Sequence, residues 1–196
     1  MTTTMLAYAR ILLASFLIGL SAFALSQAAD VGGNSAAQDA ADVLKQAAGS
    51  DAAFIPAGLV KQSFEKDNLA SLLEYPTEEV VVVGLTGAQI RAALELSVSL
   101  FPQPNKSFLQ LSGLEVAFNR AAPSNKRIVT VTANGAALDN AKTYTVAMPS
   151  SLAKGGLGYF KIWEKSQIQR TLTGKTIEDL LRGKRSQGSV SRWSAQ

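Results

Sequence analysis

Two reactive side chains are missing from this 196-residue chain: it contains no histidine and no cysteine. Without cysteine there can be no disulfide, thiolate metal site or cysteine nucleophile. Without histidine, the commonest general base and metal ligand of hydrolases is gone. Ser150 and Ser151 lie ahead of Lys154, so the one nucleophile they could build is of the serine–lysine type. The acidic pairs Glu78-Glu79 and Glu178-Asp179 read as solvated ends of a strand and a helix. The segments with more promise are two aromatic, glycine-bearing runs, Ser107-Phe108-Leu109-Gln110-Leu111-Ser112-Gly113 and Gly155-Gly156-Leu157-Gly158-Tyr159-Phe160. Rings offer flat apolar faces, and glycine lets backbone come close to a ligand. As residues alone, Phe108 reads first as strand core and Tyr159 as strand edge.

The elements that must position these runs follow from periodicity and caps. Ala36, Ala37, Ala40, Val43, Leu44 and Ala47 recur at helical spacing, with Gly49 where a C-terminal stop belongs. Asp51 to Ile55 predicts a short buried strand closed by the turn Pro56-Ala57-Gly58. Asp67 to Leu73 predicts a short helix capped by Asp67. Val80 to Val83 is a β-branched central-strand run. Thr86 with Gln89 forms a capping box ahead of a helix to Leu100, which Pro102 and Pro104 terminate. Phe108 to Phe118 and Arg127 to Ala133 predict strands, Asn134-Gly135 a hairpin turn, and Thr143 to Met148 the answering strand. Thr171 to Gly174 reads as a loop, and Thr176 caps a last helix, Ile177 to Leu181. Helices alternate with strands early and hairpins dominate later, so the fold class expected is α+β, with a mixed sheet and flanking helices.

Hydrophobic content of 47% against 17% charged marks a chain able to bury a core. The formal charge of +4 is scattered rather than striped, which points away from nucleic acid. Residues 1–29 have one charge, Arg10, then the apolar run Ile11 to Leu25 and small residues at 26–29, the layout of a signal peptide. The expected destination is the periplasm or the exterior, with a membrane attachment only if that segment stays uncleaved. Residues 30–182 are expected as one domain and 183–196 as a basic flexible tail.

Five stretches carry a resemblance. Asn34 to Asp42 is similar to an opening Gly-Asn-x-x-x-Asp-Ala helix, and Asp51-Ala52-Ala53-Phe54-Ile55 with Gly58 to an Ala-Asp-x-Ala-x-x-Asn-Gly-Gly segment. Leu85-Thr86-Gly87-Ala88-Gln89-Ile90 with Leu94-Glu95 resembles a Leu-Thr-Gly helix start. Phe108 to Gly113 matches Phe-Leu-Gln-x-Ser-Gly. Tyr144-Thr145-Val146-Ala147 with Leu152 to Tyr159 resembles the ending Tyr-x-Val to Leu-Ala-x-Gly-Gly-Asp-Gly-Phe. In this order they resemble the C-terminal domain of the UDP-sugar hydrolase/5′-nucleotidase family, over about residues 34 to 182.

That family clamps a nucleoside base between two rings, so the resemblance implies that Phe108 and Tyr159 are the walls of one slot. It also implies that Gly155, Gly156 and Gly158 let backbone approach the ligand, and that Lys61 stands where an arginine reaches phosphate. The family's hydrolysis belongs to a separate metallophosphoesterase domain holding two metals. This chain is therefore expected to bind a nucleoside or nucleotide without being catalytic alone, with no cofactor of its own and divalent metals only in a partner metallophosphoesterase chain. The departures are also plain. Lysine lacks the bidentate fork of arginine, Glu65 stands where a second family arginine often sits, Leu73-Glu74-Tyr75-Pro76-Thr77 replaces a Leu-Pro-Phe-x-Asn turn, and Leu157 replaces the aspartate. The alternative reading is a non-catalytic binding or interaction module that reuses the fold for another ligand, its basic tail (Arg182, Lys184, Arg185, Arg192) meeting an anionic surface.

Overall fold

The computed structural model of the protein describes residues 33–196, so the predicted signal segment lies outside the described residues. The first helix, α1 (Ser35–Ala48), starts where the Asn34 side chain accepts the Ala37 N–H and stops at Gly49, whose φ of 57° is left-handed. Its buried stripe is Ala36, Ala37, Ala40, Ala41, Leu44 and Ala48, with Ala47 turned to solvent. Small side chains let the helix lie close on the sheet beneath it, against β1 (Ala52–Pro56) and β3 (Leu109–Ser112).

That sheet has five strands in the order β3-β1-β7-β2-β8, with β2 at Glu79–Thr86, β7 at Thr143–Pro149 and β8 at Ile168–Thr176. It is buried on both faces. Ala53, Ile55, Val80, Val82 and Ala147 pack with α1, α4 (Ile177–Leu181) and the 3-10 turn Leu69–Leu72. The alternating residues Phe54, Val81, Val83, Val146 and Met148 pack on the other side, under α2 (Gly87–Ser97) and the second sheet. Successive strand residues point to opposite faces, so one apolar run serves two cores.

The second sheet has the order β6-β5-β4-β9, with β4 at Leu114–Phe118, β5 at Ile128–Ala133, β6 at Ala136–Ala137 and β9 at Trp193–Ala195. Four sequence expectations change here. The continuous strand from Phe108 to Phe118 divides at Gly113 into members of two sheets. Gly113 has a φ of 77°, and a Cβ there would stand 2.2 Å from the Asp51 carbonyl oxygen, so only glycine makes the crossing. The strand answering the Asn134-Gly135 turn is the short β6, while β7 crosses into the first sheet between β1 and β2. Residues 171–174 belong to the exposed edge strand β8 rather than a loop. The predicted helix over 67–73 is a 3-10 turn preceded by Asn68, with no side-chain cap.

The C-terminal segment is the largest revision. In place of a flexible tail, β9 runs parallel to β4, and Trp193 is buried between Phe108 and Phe118 while donating its indole N–H to the Leu109 carbonyl. Upstream, the buried Asp39 carboxylate accepts hydrogen bonds from Ser186 Oγ and from the backbone N–H groups of Gln187, Gly188 and Ser189. A polar sequence is held by one carboxylate and one indole.

Candidate functional site

The two aromatic runs meet at one residue. The Tyr159 hydroxyl donates to the Ser107 carbonyl at 2.5 Å, and Ser107 Oγ donates to the Leu157 carbonyl at 2.7 Å. This joint places the runs side by side but closes the space between them. Tyr159 is fully buried, its ring stacked on Trp163 at 4.6 Å and its oxygen also 3.3 Å from Ser97 Oγ. Burial pushes the Tyr159 phenol far above its ordinary range, with Ser97 opposing weakly, so it stays a neutral donor. Phe108 has one face on Trp193, 5.0 Å between centroids. The slot expected between Phe108 and Tyr159 is thus filled by protein: the phenol spends its polarity inside the fold. The spacing Tyr159 to Trp163, one turn apart, is the sequence signal for that stack.

The glycines have internal reasons as well. Gly155 has a φ of 88°, and a Cβ there would lie 2.6 Å from that of Phe160; at Gly156 it would lie 2.9 Å from the Ser151 carbonyl. Gly158, with a φ of 90°, has only Leu96 near, at 3.9 Å. Leu157 between them adopts a left-handed φ of 57°, a conformation that costs a non-glycine residue about 1–2 kcal/mol. Leu157 is also part-exposed and leans toward Gly58.

A cleft of about 790 Å³, within the range of small-molecule sites, borders Phe108, which is itself only 4% exposed. One wall is the turn after β1, Ala57, Gly58, Val60 and Gln62. The turn is pinned where the Ala57 N–H meets the Phe108 carbonyl at 2.7 Å and the Gly58 N–H meets the Lys106 carbonyl at 2.8 Å. The facing wall is the end of α2 and the loop 98–107. Asn105 holds that loop to the helix, its Nδ2 donating to the Leu96 and Ser97 carbonyls at 2.9 and 2.8 Å. The Leu96 carbonyl also accepts from Ser99, so Asn105 adds to a helix end that is already partly paired. Phe101, Pro102, Pro104 and Phe108 supply the apolar lining, and the polar side chains left over for a ligand are Gln62, Glu74, Gln103 and Lys106. None of these four stands out in the sequence, because the walls come from segments far apart in the chain.

Lys61 is not among the lining residues, whereas Val60 and Gln62 on either side of it are. Two rings are open to solvent nearby in sequence, Tyr75 at 62% exposure and Phe160 at 65%.

The remaining chemical candidates have structural employment. Ser151 gives its N–H and its hydroxyl to the Glu78 carboxylate, both at 2.9 Å. The serine therefore engages an acid rather than Lys154. Asp179 closes the cap with Thr176, and Arg182 sits 3.5 Å from Glu178 and 3.2 Å from Asp179. Arg185 faces Asp67 and Arg192 faces Asp42, so most of the supposed basic tail is neutralised locally. A two-metal centre does not fit the residues present: the chain has no histidine, and among the described residues no three acidic side chains converge.

Comparison with known proteins gives these features a family. The model of the 5′-nucleotidase C-terminal domain matches residues 19–165. A 5′-nucleotidase-related protein of Glossina morsitans morsitans is 38% identical over 120 residues, which is 55% of this chain and 22% of that protein. The 5′-nucleotidase of Diplobatis ommata is 30% identical over 123 residues, 58% of this chain and 21% of its own. This chain thus spans about a fifth of the length of these relatives. A 5′-nucleotidase precursor from Thermus thermophilus superposes with a TM-score of 0.66 at 25% identity, over 85% of this chain and 35% of that one. The matched span includes both cleft walls and the joined aromatic runs, and the chain belongs to the 5′-nucleotidase C-terminal domain family.

Proposed function

We propose that this protein is the exported ligand-holding part of a nucleotide-hydrolysing system, with nucleosides or nucleotides seated in the cleft beneath Phe108. The observation that carries the reading is the cleft itself, built from the Gly58 turn and the Phe108 run, two of the stretches that match the family. Phe108 is only 4% exposed, so a bound base would meet the apolar lining as a whole rather than an open ring face. Tyr159 and the glycines at 155, 156 and 158 position Ser107 and Leu157 at the edge of this site rather than touching the base. Phosphoester hydrolysis needs metal-activated water, and the residues here do not build such a centre. The chemistry is therefore assigned to a partner metallophosphoesterase chain, and the proposed location is the periplasm or the exterior.

Calorimetric titration of the purified chain with adenosine and with AMP tests the proposal. Gln103→Trp, an exposed change on the loop wall, should abolish whichever heat is seen, and AMP turnover should appear only after a metallophosphoesterase is added. No heat with either ligand, or equal heat in the blocked variant, would refute it. Binding of other aromatic compounds but of no nucleoside would favour the module that reuses the fold.

A further inference from the structure

We infer that the cleft selects an uncharged nucleoside over its phosphate ester, a specificity that rests on the proposed reading of the cleft and sharpens it. The two side chains that could reward a phosphate in the family's manner are absent from the lining. Lys61 is not a lining residue, although its neighbours Val60 and Gln62 are, and Glu65 is neither a cation nor a wall residue. The ionisable side chains that do line it are one acid and one base, Glu74 and Lys106, both exposed at the rim. Their charges sum to zero, whereas a phosphate monoester carries about −1.5 to −2 at neutral pH.

The comparison of ligands follows from that charge count. A phosphate entering the cleft sheds water and meets one ammonium and one carboxylate, so its desolvation is not recovered. A nucleoside brings a flat apolar ring for the Phe101–Phe108 lining and hydroxyl or amine groups. The carboxamides of Gln62 and Gln103 offer donors and acceptors, and Glu74 accepts from a hydroxyl pair. Two arginines lie over the Phe101 ring, Arg120 and Arg127, and neither lines the cleft; the Arg127 side chain also donates to the Val98 and Ala122 carbonyls. The lining is therefore complementary to what remains after a phosphate has been removed, the product side of a nucleotide-hydrolysing reaction.

Titration of the wild-type chain with adenosine and with AMP, and of Glu74→Lys with both, provides the test. Adenosine should bind about tenfold more tightly than AMP, a difference of about 1.4 kcal/mol. In Glu74→Lys the AMP affinity should rise several-fold while adenosine weakens only by the loss of one hydroxyl acceptor, so the preference narrows or inverts. AMP binding as tightly as adenosine in the wild type overturns the inference but leaves the proposed function standing. Failure of both ligands to bind removes the proposed function itself. An adenosine preference unmoved by Glu74→Lys also overturns the inference, because selectivity would then not reside in the rim charges.

Discussion

Replacing Trp193 with alanine should destabilise the domain by about 3–5 kcal/mol, the usual cost of deleting a buried aromatic side chain. The magnitude follows from its surroundings. Trp193 is 4% exposed although it lies close to the C-terminus of the sequence. A buried aromatic removes about 150–250 Å² from water, worth about 4–6 kcal/mol at 25 cal/mol per Å² as an upper bound. The ring sits 5.0 Å from Phe108 and 6.2 Å from Phe118, and its N–H reaches the Leu109 carbonyl at 2.9 Å. Urea unfolding followed by tryptophan fluorescence and far-ultraviolet circular dichroism gives the difference. The control is Val190→Ala, 79% exposed in the same segment, which should lie within about 0.5 kcal/mol of wild type. Should Trp193→Ala fail to fold, Trp193→Phe keeps part of the packing and loses only the Leu109 bond, so it should cost less. A Trp193→Ala loss below about 1 kcal/mol would return residues 183–196 to the status of a frayed tail.

Asp39 ties that segment to α1, and burial opposes its ionisation more than any single contact favours it. The hydrogen bonds from Ser189, Ser186, Gln187 and Gly188 together outweigh burial and hold the carboxyl below its usual range. A depressed folded pKa means stability that is fully present above the unfolded value, about 3.9, and is lost as pH falls through the folded one. Wild type should therefore weaken below about pH 4, whereas Asp39→Asn should be weaker by about 2 kcal/mol at pH 7 and flatter in acid, read by urea titration at each pH. Gly155→Ala combines a left-handed φ with a Cβ 2.6 Å from Phe160, so it should cost clearly more in thermal melts than Gly135→Ala, at φ 83° with nothing within 4 Å. Tyr159→Phe should cost about 1–2 kcal/mol in denaturant titrations, because it leaves the Ser107 carbonyl without its phenolic partner.

The parts legible in sequence were those decided within a few residues. The Thr86–Gln89 box, the Thr176 cap and the Gly49 stop all stand where capping chemistry puts them, whereas Asn34, the cap of α1, was not singled out as one. Strand existence was also readable, since Val80 to Val83 and Thr143 to Met148 carry β-branched, alternating patterns. Strand partnership was not. Nothing local tells Thr143 to pair with β2 rather than β5, and the parallel pairing of Val116 with Trp193 joins residues far apart in the chain. Gly113 was visible as a glycine, but the carbonyl of Asp51 that forbids a side chain there arrives from another strand. At the site the difficulty was of the same kind. Phe108 reads as core or as ligand wall; its ring is buried against Trp193 at 4% exposure, and the residue borders the cleft. Tyr159 reads as a wall only until its hydroxyl is traced to Ser107.

Several polar groups of the five matching stretches are consumed inside the protein. Asp39 holds the C-terminal segment, Asp51 accepts the Thr145 N–H and hydroxyl at 2.8 Å, and Glu95 accepts the Arg127 and Ile128 N–H groups that open β5. Gln89 closes its cap and donates to the Ile162 carbonyl at 2.8 Å, fixing α2 to the segment after the glycine run. Each buried partner left unpaired would cost about 1–3 kcal/mol, so these residues are constrained by folding whatever the cleft holds. Gln62, Glu74, Gln103 and Lys106, which face the cleft, lie outside all five stretches. The polar side chains of the cleft thus lie outside the stretches that carry these folding contacts, although Gly58 and Phe108 belong to both, and that polar set can change without disturbing the fold. The same separation makes the cleft testable: substitutions at those four positions should alter ligand preference at near-constant stability, whereas substitutions at Asp39, Asp51 or Glu95 should lower stability before they touch binding.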